Sequence, residues 1–217
     1  GYALTNAIRR MDLAGRDVTE YLQILLQRAG HNLHTTAEKE IVRQVKERLC
    51  YVALDAAKEE KELSSVVGGT GSGGDAKSGN DVFMLPDGQI INLGHERFRA
   101  PEILFQPDII GLEYPGIHQM VADSISRTDI DLRRQMYSGI VLSGGTTLTR
   151  GFGDRLLSEL RKQAVKDCKI KITAPPERKY STWIGGSILA SLSSFKRMWV
   201  TAEEYQEDPD IIRKKLY

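Results

Sequence analysis

This chain of 217 residues is short of several things, and each shortage closes off a class of answers. It has only 2 cysteines, Cys50 and Cys168, too few and too far apart for the disulfide framework of a small secreted scaffold. Both are therefore expected as free thiols. It has no charge bias: 30 Lys and Arg stand against 29 Asp and Glu. That leaves no bulk electrostatic drive toward nucleic acid or an anionic membrane. No apolar run approaches the roughly 20 residues a membrane-spanning helix needs. The 4 histidines (His31, His34, His95, His118) lack cysteine or carboxylate partners at metal-ligand spacing, so no metal site is expected. No Ser/His/Asp or Cys/His nucleophile set and no pair of carboxylates flanking a water site declares itself, so no complete catalytic centre is expected. An initiating methionine is missing too: the chain opens Gly1-Tyr2-Ala3-Leu4, as a fragment or processed product would.

What is present suits an ordinary globular protein, with 41% apolar and 27% charged residues. A chain this long makes one large or two small domains and buries about 70% of its unfolded surface without staples. Asp17 and Glu20 form a capping-box pattern ahead of the stripe Val18, Tyr21, Leu22, Leu25, Leu26, which Gly30 ends. A second helix is predicted from Thr35 or Thr36 to about Tyr51, with Glu38 completing its box and Ile41, Val42, Val45 and Leu49 as its apolar face. The charged run Lys58 to Glu62 and the Gly/Ser-rich stretch Val66 to Asn80 predict a mobile loop. Pro86-Asp87-Gly88 between Val82–Leu85 and Gln89–Leu93 predicts a hairpin. The stretch RFRAPEILFQPDIIG has little regular pattern. Helices are expected over Gly116–Ser126, Asp131–Tyr137, Asp154–Gln163 and Ser181–Leu192, and a strand over Lys169–Thr173. Strands mixed with helices throughout make the class α/β or α+β.

Four constellations could carry chemistry. Ile140-Val141-Leu142 leads into Ser143-Gly144-Gly145-Thr146-Thr147. A strand feeding such a loop can converge backbone N–H groups on a phosphate, yet it matches no Walker sequence and serves equally as a structural turn. Arg43, Lys46 and Glu47 share a helix face that could lie along a base and ribose, or simply be solvated. Ala174-Pro-Pro-Glu-Arg-Lys-Tyr180 projects Lys179 from a rigid turn. Gly185-Gly186 sits inside an apolar helix at a cost of about 1 kcal/mol per glycine relative to alanine. Close packing against another element is the expected reason.

In this order, AGRDVTEYL, TTAEKEIVRQVKERLCYVALD, LPDGQIINLGHERFRAPEILFQP, GIVLSGGTTL, KIKITAPPERKYSTWIGGSILASL and KRMW resemble the actin family, across nearly the whole chain except about Lys58 to Asp81. DLRRQMYSGIVLSGG, GFGDRLLSEL and STWIGGSILASL lean toward its centractin branch; APPERKY and LPDGQIINLG look equally like conventional actin. The resemblance implies an α/β, actin-like ATPase (ribonuclease H-like) fold. Only its carboxyl-terminal half would be represented, with a mixed sheet, flanking helices and an inserted helical subdomain. The implied division is a truncated start of the inner subdomain (1–14), an outer inserted subdomain (15–105) with a flexible loop at 58–81, an inner subdomain with the phosphate-side loop (106–180), and a carboxyl-terminal segment that crosses to the other domain (181–217).

The resemblance also implies a cleft for ATP or ADP with Mg²⁺, possessed by the parent protein and empty or filled in this piece. Gly144, Gly145 and Thr146 would lie by the phosphates and ribose, Leu148 and Lys179 would flank the adenine, Arg43, Lys46 and Glu47 would line base and ribose, and Gly15 would sit near the ribose. Thr149 stands where the family often has a tyrosine. The catalytic apparatus would lie upstream of Gly1, so ATP hydrolysis is expected of a parent and not of this chain. Implied partners are a second copy in a filament and actin-binding proteins or a dynactin-like complex, in the cytoplasmic cytoskeleton, with no nucleic acid and no membrane. Ile109, Ile110 and Leu112 would form an apolar plug between subunits; Tyr2, Ile188, Leu189, Leu192 and Met198 would line a groove for partner helices. The alternatives are a non-catalytic interaction fragment and an actin-fold kinase or chaperone ATPase, the last opposed by FQPDIIG and KRMW.

Overall fold

A computed structural model describes residues 3–68, 82–165 and 168–216. After a 3-10 turn at Thr5–Ala7, α1 spans Gly15–Arg28. It starts two residues before the predicted cap. Asp17 sits in its first turn and accepts a hydrogen bond from the Ala14 N–H at 2.7 Å, placing its negative charge against the helix's positive end. α2 spans Thr36–Leu49 and is capped as predicted. The Thr35 hydroxyl accepts from the Glu38 N–H at 3.2 Å, and the Glu38 carboxylate accepts from the N–H groups of His34 and Thr35 at 2.7 Å each. Val18, Leu22, Leu25 and Leu26 of α1 and Val42, Val45 and Leu49 of α2 are buried in one core.

The expected loop at 58–81 is corrected over its first part, where α3 runs Ala56–Gly68. Ala, Lys, Glu and Leu are good helix formers, and the glycine run marks the helix's end, not the segment's character. Residues 69–81 lie outside the described ones. β1 (Val82–Met84) and β2 (Ile90–Asn92) pair antiparallel, Phe83 opposite Ile91 on the buried face. Gly88, at φ +84°, closes the turn through its N–H to the Leu85 carbonyl at 3.0 Å.

The stretch that showed little pattern contains α4 (Glu96–Glu102), then a 3-10 turn at Pro107–Ile110. Its prolines conceal the helix, because Pro101 comes only at the penultimate helical residue. α5 (Ile117–Ser126) and α6 (Ile130–Ser138) follow. β3 (Ile140–Val141) leads to a 3-10 turn at Gly145–Leu148, then to α7 (Phe152–Gln163). β4 pairs parallel with β3, Ile140 opposite Ile172, but covers only Ile172–Thr173 of the predicted strand. α8 (Ser181–Ser191), a 3-10 turn at Ser193–Met198, α9 (Ala202–Glu207) and α10 (Ile211–Leu216) complete the chain.

Two features set the two halves of the molecule against each other. The Val52 N–H donates to the Arg150 carbonyl at 2.7 Å, and a Cβ on Gly151 (φ +77°) would stand 2.3 Å from the Val52 carbonyl oxygen. Only glycine permits this seam between the end of α2 and the start of α7. Across the same boundary Arg155 of α7, buried, donates to both oxygens of buried Glu102 on α4 at 2.9 and 3.0 Å.

The expectation of close packing at Gly185-Gly186 is overturned: among the described residues a Cβ on either glycine would meet nothing within 4 Å. α8 stands on the surface with Trp183 77% exposed. Among the described residues no helix is long and apolar enough to cross a membrane.

Candidate functional site

The seam leaves a cleft of about 400 Å³ between α1, α2 and α4 on one side and the Gly145–Leu148 turn with Lys179 on the other. Gly15 and Thr146 bring its walls together. A Cβ on Gly15 would lie 2.7 Å from the Thr146 hydroxyl and 3.5 Å from Lys46 Nζ, so the approach exists because that side chain is absent. Lys46 crosses from α2 to the start of α1 and donates to the Gly15 carbonyl at 2.7 Å and the Thr19 hydroxyl at 2.9 Å. Thr19 in turn donates to the Gly15 carbonyl at 3.0 Å. Burial pulls the Lys46 ammonium below its ordinary range, with the Glu47 carboxylate opposing that pull. An ammonium has three donors, and these two bonds leave one for a ligand.

The opposite wall is held by Arg178. Its guanidinium donates to the Thr147 hydroxyl at 3.0 Å and the Thr147 carbonyl at 3.1 Å, and its carbonyl accepts from the Gly144 N–H at 2.8 Å. Gly144 adopts φ +95°, which lets the chain turn from β3 into the loop. The Ser143 and Ser181 hydroxyls meet at 2.6 Å beside it. Thr149 donates to the Thr146 carbonyl at 2.9 Å. The loop is thus rigid on its outer side, and Thr146 faces inward.

Of the residues named from the sequence, Gly15, Lys46, Glu47, Gly145, Thr146, Leu148 and Lys179 line one cleft. Two do not. Gly144 shapes the loop from behind, and Arg43 points along the surface of α2, where it pairs with Glu40 and, at 2.5 Å, with Glu47. The sequence reasoning missed the apolar floor: Val18, Cys50, Pro101 and Leu104. Cys50 follows Lys46 by four residues and Val18 follows Gly15 by three, so helical spacing alone could have added both. Burial pushes the Cys50 thiol up to about 12, making it a neutral part of the floor.

The residues named for partner contacts lie apart from the cleft. Ile188, Leu189, Leu192 and Met198 are exposed, as is Ile109; Ile110 and Leu112 pack partly on the core. Tyr2 lies outside the described residues.

Comparison with known proteins places the chain in a family. The family model for actin matches residues 1–217. An actin-like protein of Neurospora crassa is 62% identical over 216 residues, which is 100% of this chain and 55% of that protein. The chain therefore spans about half the length of the curated relative it matches.

Proposed function

The chain belongs to the actin family, and on that premise we propose that it supplies one side of an interdomain ATP/ADP site in a filament-forming cytoskeletal protein. The carrying observation is the convergence of Gly15, Lys46 and Glu47 with Gly145, Thr146 and Lys179 on one cleft. Adenine nucleotide chemistry fits the residues present. The floor of Val18, Cys50, Pro101 and Leu104 is apolar enough for a base, and the volume falls within the roughly 300–1,000 Å³ typical of ligand pockets. Glu47 would accept from ribose hydroxyls, Lys46 would give its remaining donor, Leu148 and Lys179 would flank the base, and the backbone of Gly145 and Thr146 would face the phosphates. Mg²⁺, when bound with the nucleotide, would neutralise phosphate charge; no hydrolytic step is assigned to these residues.

Filament assembly, through Ile109, Ile110 and Leu112, and partner-helix binding, through Ile188, Leu189, Leu192 and Met198, belong to the same reading, which names the family and not its centractin or conventional-actin branch. The exposure of Ile109, Ile188, Leu189, Leu192 and Met198 supports the contact surfaces. The decisive measurement is calorimetry of MgATP binding to the full-length protein. Lys46→Ala with Glu47→Ala should weaken binding at least about tenfold, since a hydrogen bond to a charged group is worth about 1.5–3 kcal/mol. Unchanged affinity sinks the site. Equilibrium dialysis of the 217-residue chain with labelled ATP then separates a nucleotide-binding piece from a pure interaction piece.

A further inference from the structure

We propose that the cavity between α1, α3 and α4 is a second small-molecule site, one that takes a flat apolar ring bearing a carboxylate. The cavity has a volume of about 310 Å³ and shares no lining residue with the cleft that Lys46 and Thr146 line. It follows from how α3 is attached. None of the described side chains of α3 is buried, and polar contacts hold the helix in place. Glu60 accepts from Nε of Arg99 on α4 at 3.0 Å and from Nη2 of the same guanidinium, and Glu59 accepts from the Tyr51 hydroxyl at 2.8 Å. Besides Glu60, the residues that α3 brings to the cavity are Ala56 and Ala57. Single methyl groups are too short to fill the space against α1 and α4.

The apolar lining suits a ring. Leu25 and Phe98 are buried, and Tyr21 and Ile109 join them at the cavity wall. Two aromatic side chains offer a flat ligand stacked or edge-on contact. The volume stands at the small end of the roughly 300–1,000 Å³ typical of ligand pockets, which calls for one or two rings and no more.

Charge decides the rest of the ligand. Glu60, Arg99, Glu102 and Arg28 all reach the cavity. The first two are paired with each other, and Glu102 takes two bonds from Arg155 at 2.9 and 3.0 Å. Arg28 on the last turn of α1 has no side-chain hydrogen bond or ion pair among the described residues, and neither has the Gln106 amide. A cation beside a helix carboxyl end is favourable there, yet that leaves its N–H donors free. The uncommitted charge is therefore one guanidinium, whose planar fork matches a carboxylate through two parallel bonds. A cationic ligand would find both carboxylates already neutralised. A doubly charged phosphate would need a second free cation, and none lines the cavity among the described residues.

Methyl NMR and calorimetry of the full-length protein with indole-3-acetate, and with neutral indole-3-acetamide as its control, test this. The acid should bind saturably, in the micromolar-to-low-millimolar range its size permits, and should move the methyl resonances of Leu25, Ala57 and Ile109. It should bind about tenfold more tightly than the amide, because only the acid makes a charged pair with Arg28. Arg28→Gln, at an exposed position, should erase that preference and leave the amide's affinity as it was. Ala57→Leu should abolish binding of both by filling the space, with MgATP affinity unchanged because the two sites share no residue. Urea unfolding checks that each variant is folded, and Arg28→Gln decides the matter if Ala57→Leu is not. The absence of a saturable methyl shift, an acid no tighter than its amide, or binding that survives Ala57→Leu in the folded protein each overturns the proposal. None of these readouts depends on nucleotide binding elsewhere.

Discussion

Gly15 shows how much of the cleft depends on a single absent atom. Its carbonyl receives both Lys46 and Thr19, and its missing Cβ is what allows Thr146 to approach. Gly15→Ala would put a methyl group 2.7 Å from the Thr146 hydroxyl. Threonine is stiff at χ1, so the wall itself must yield. Overpacking of this kind costs about 1–3 kcal/mol. Urea unfolding should record that loss, and Thr146→Ala in the same chain should restore most of it; a Gly15→Ala loss that Thr146→Ala does not relieve would place the strain elsewhere. Part of this site was legible. Lys46 and Glu47 were found as neighbours on a helix face. Arg43, named from that same face, turns away instead, and the reason too lies in the spacing. Glu40 three residues before it and Glu47 four after it offer two carboxylates at helical spacing, and they hold its guanidinium at the surface.

Between elements, the Glu102–Arg155 pair is the polar joint of the molecule. Both side chains are 5% or less exposed, and Arg155 also donates to the Ala53 carbonyl at 2.8 Å and to Glu159 at 2.9 Å. Glu102→Ala would leave a buried guanidinium short of two bonds, a loss of about 3–5 kcal/mol. Replacing both residues, Glu102→Met with Arg155→Met, should cost less than the sum of the single changes. Additive losses in urea unfolding would mean the two do not act as a pair. Elements whose limits rest on local chemistry were legible: α2 from Thr35 and Glu38, and the hairpin from Pro86-Asp87-Gly88. Those limited by packing were not. α3 was obscured by the glycines that follow it and α4 by the proline near its end. β3 and β4 are two residues long each, because a strand lasts only as far as its neighbour pairs with it.

At the scale of the whole molecule, the described surface is divided. One side holds a core of buried aliphatic residues and Phe side chains; the other presents α8, apolar all round, with Trp183, Ile188 and Leu189 exposed. A helix without a polar face belongs in an interior. β3 and β4 repeat the pattern, since parallel pairs are normally covered on both faces and Val141 is 65% exposed. The sequence reveals that α8 is a helix and that its glycines invite close packing. It cannot reveal that nothing among the described residues approaches them, because exposure is a property of the assembled surface. An apolar patch of this kind has a measurable consequence. The 217-residue chain should self-associate with rising concentration in sedimentation velocity and should brighten a hydrophobic dye in its folded state. Ile188→Glu with Leu189→Glu should weaken that association at least about 100-fold, since each buried aliphatic side chain is worth about 1.5–3 kcal/mol and 1.4 kcal/mol is a factor of ten. A chain that stays monomeric and dark to the dye at every concentration would show that α8 is covered in solution. An association unchanged by the double substitution would move the sticky surface to another face.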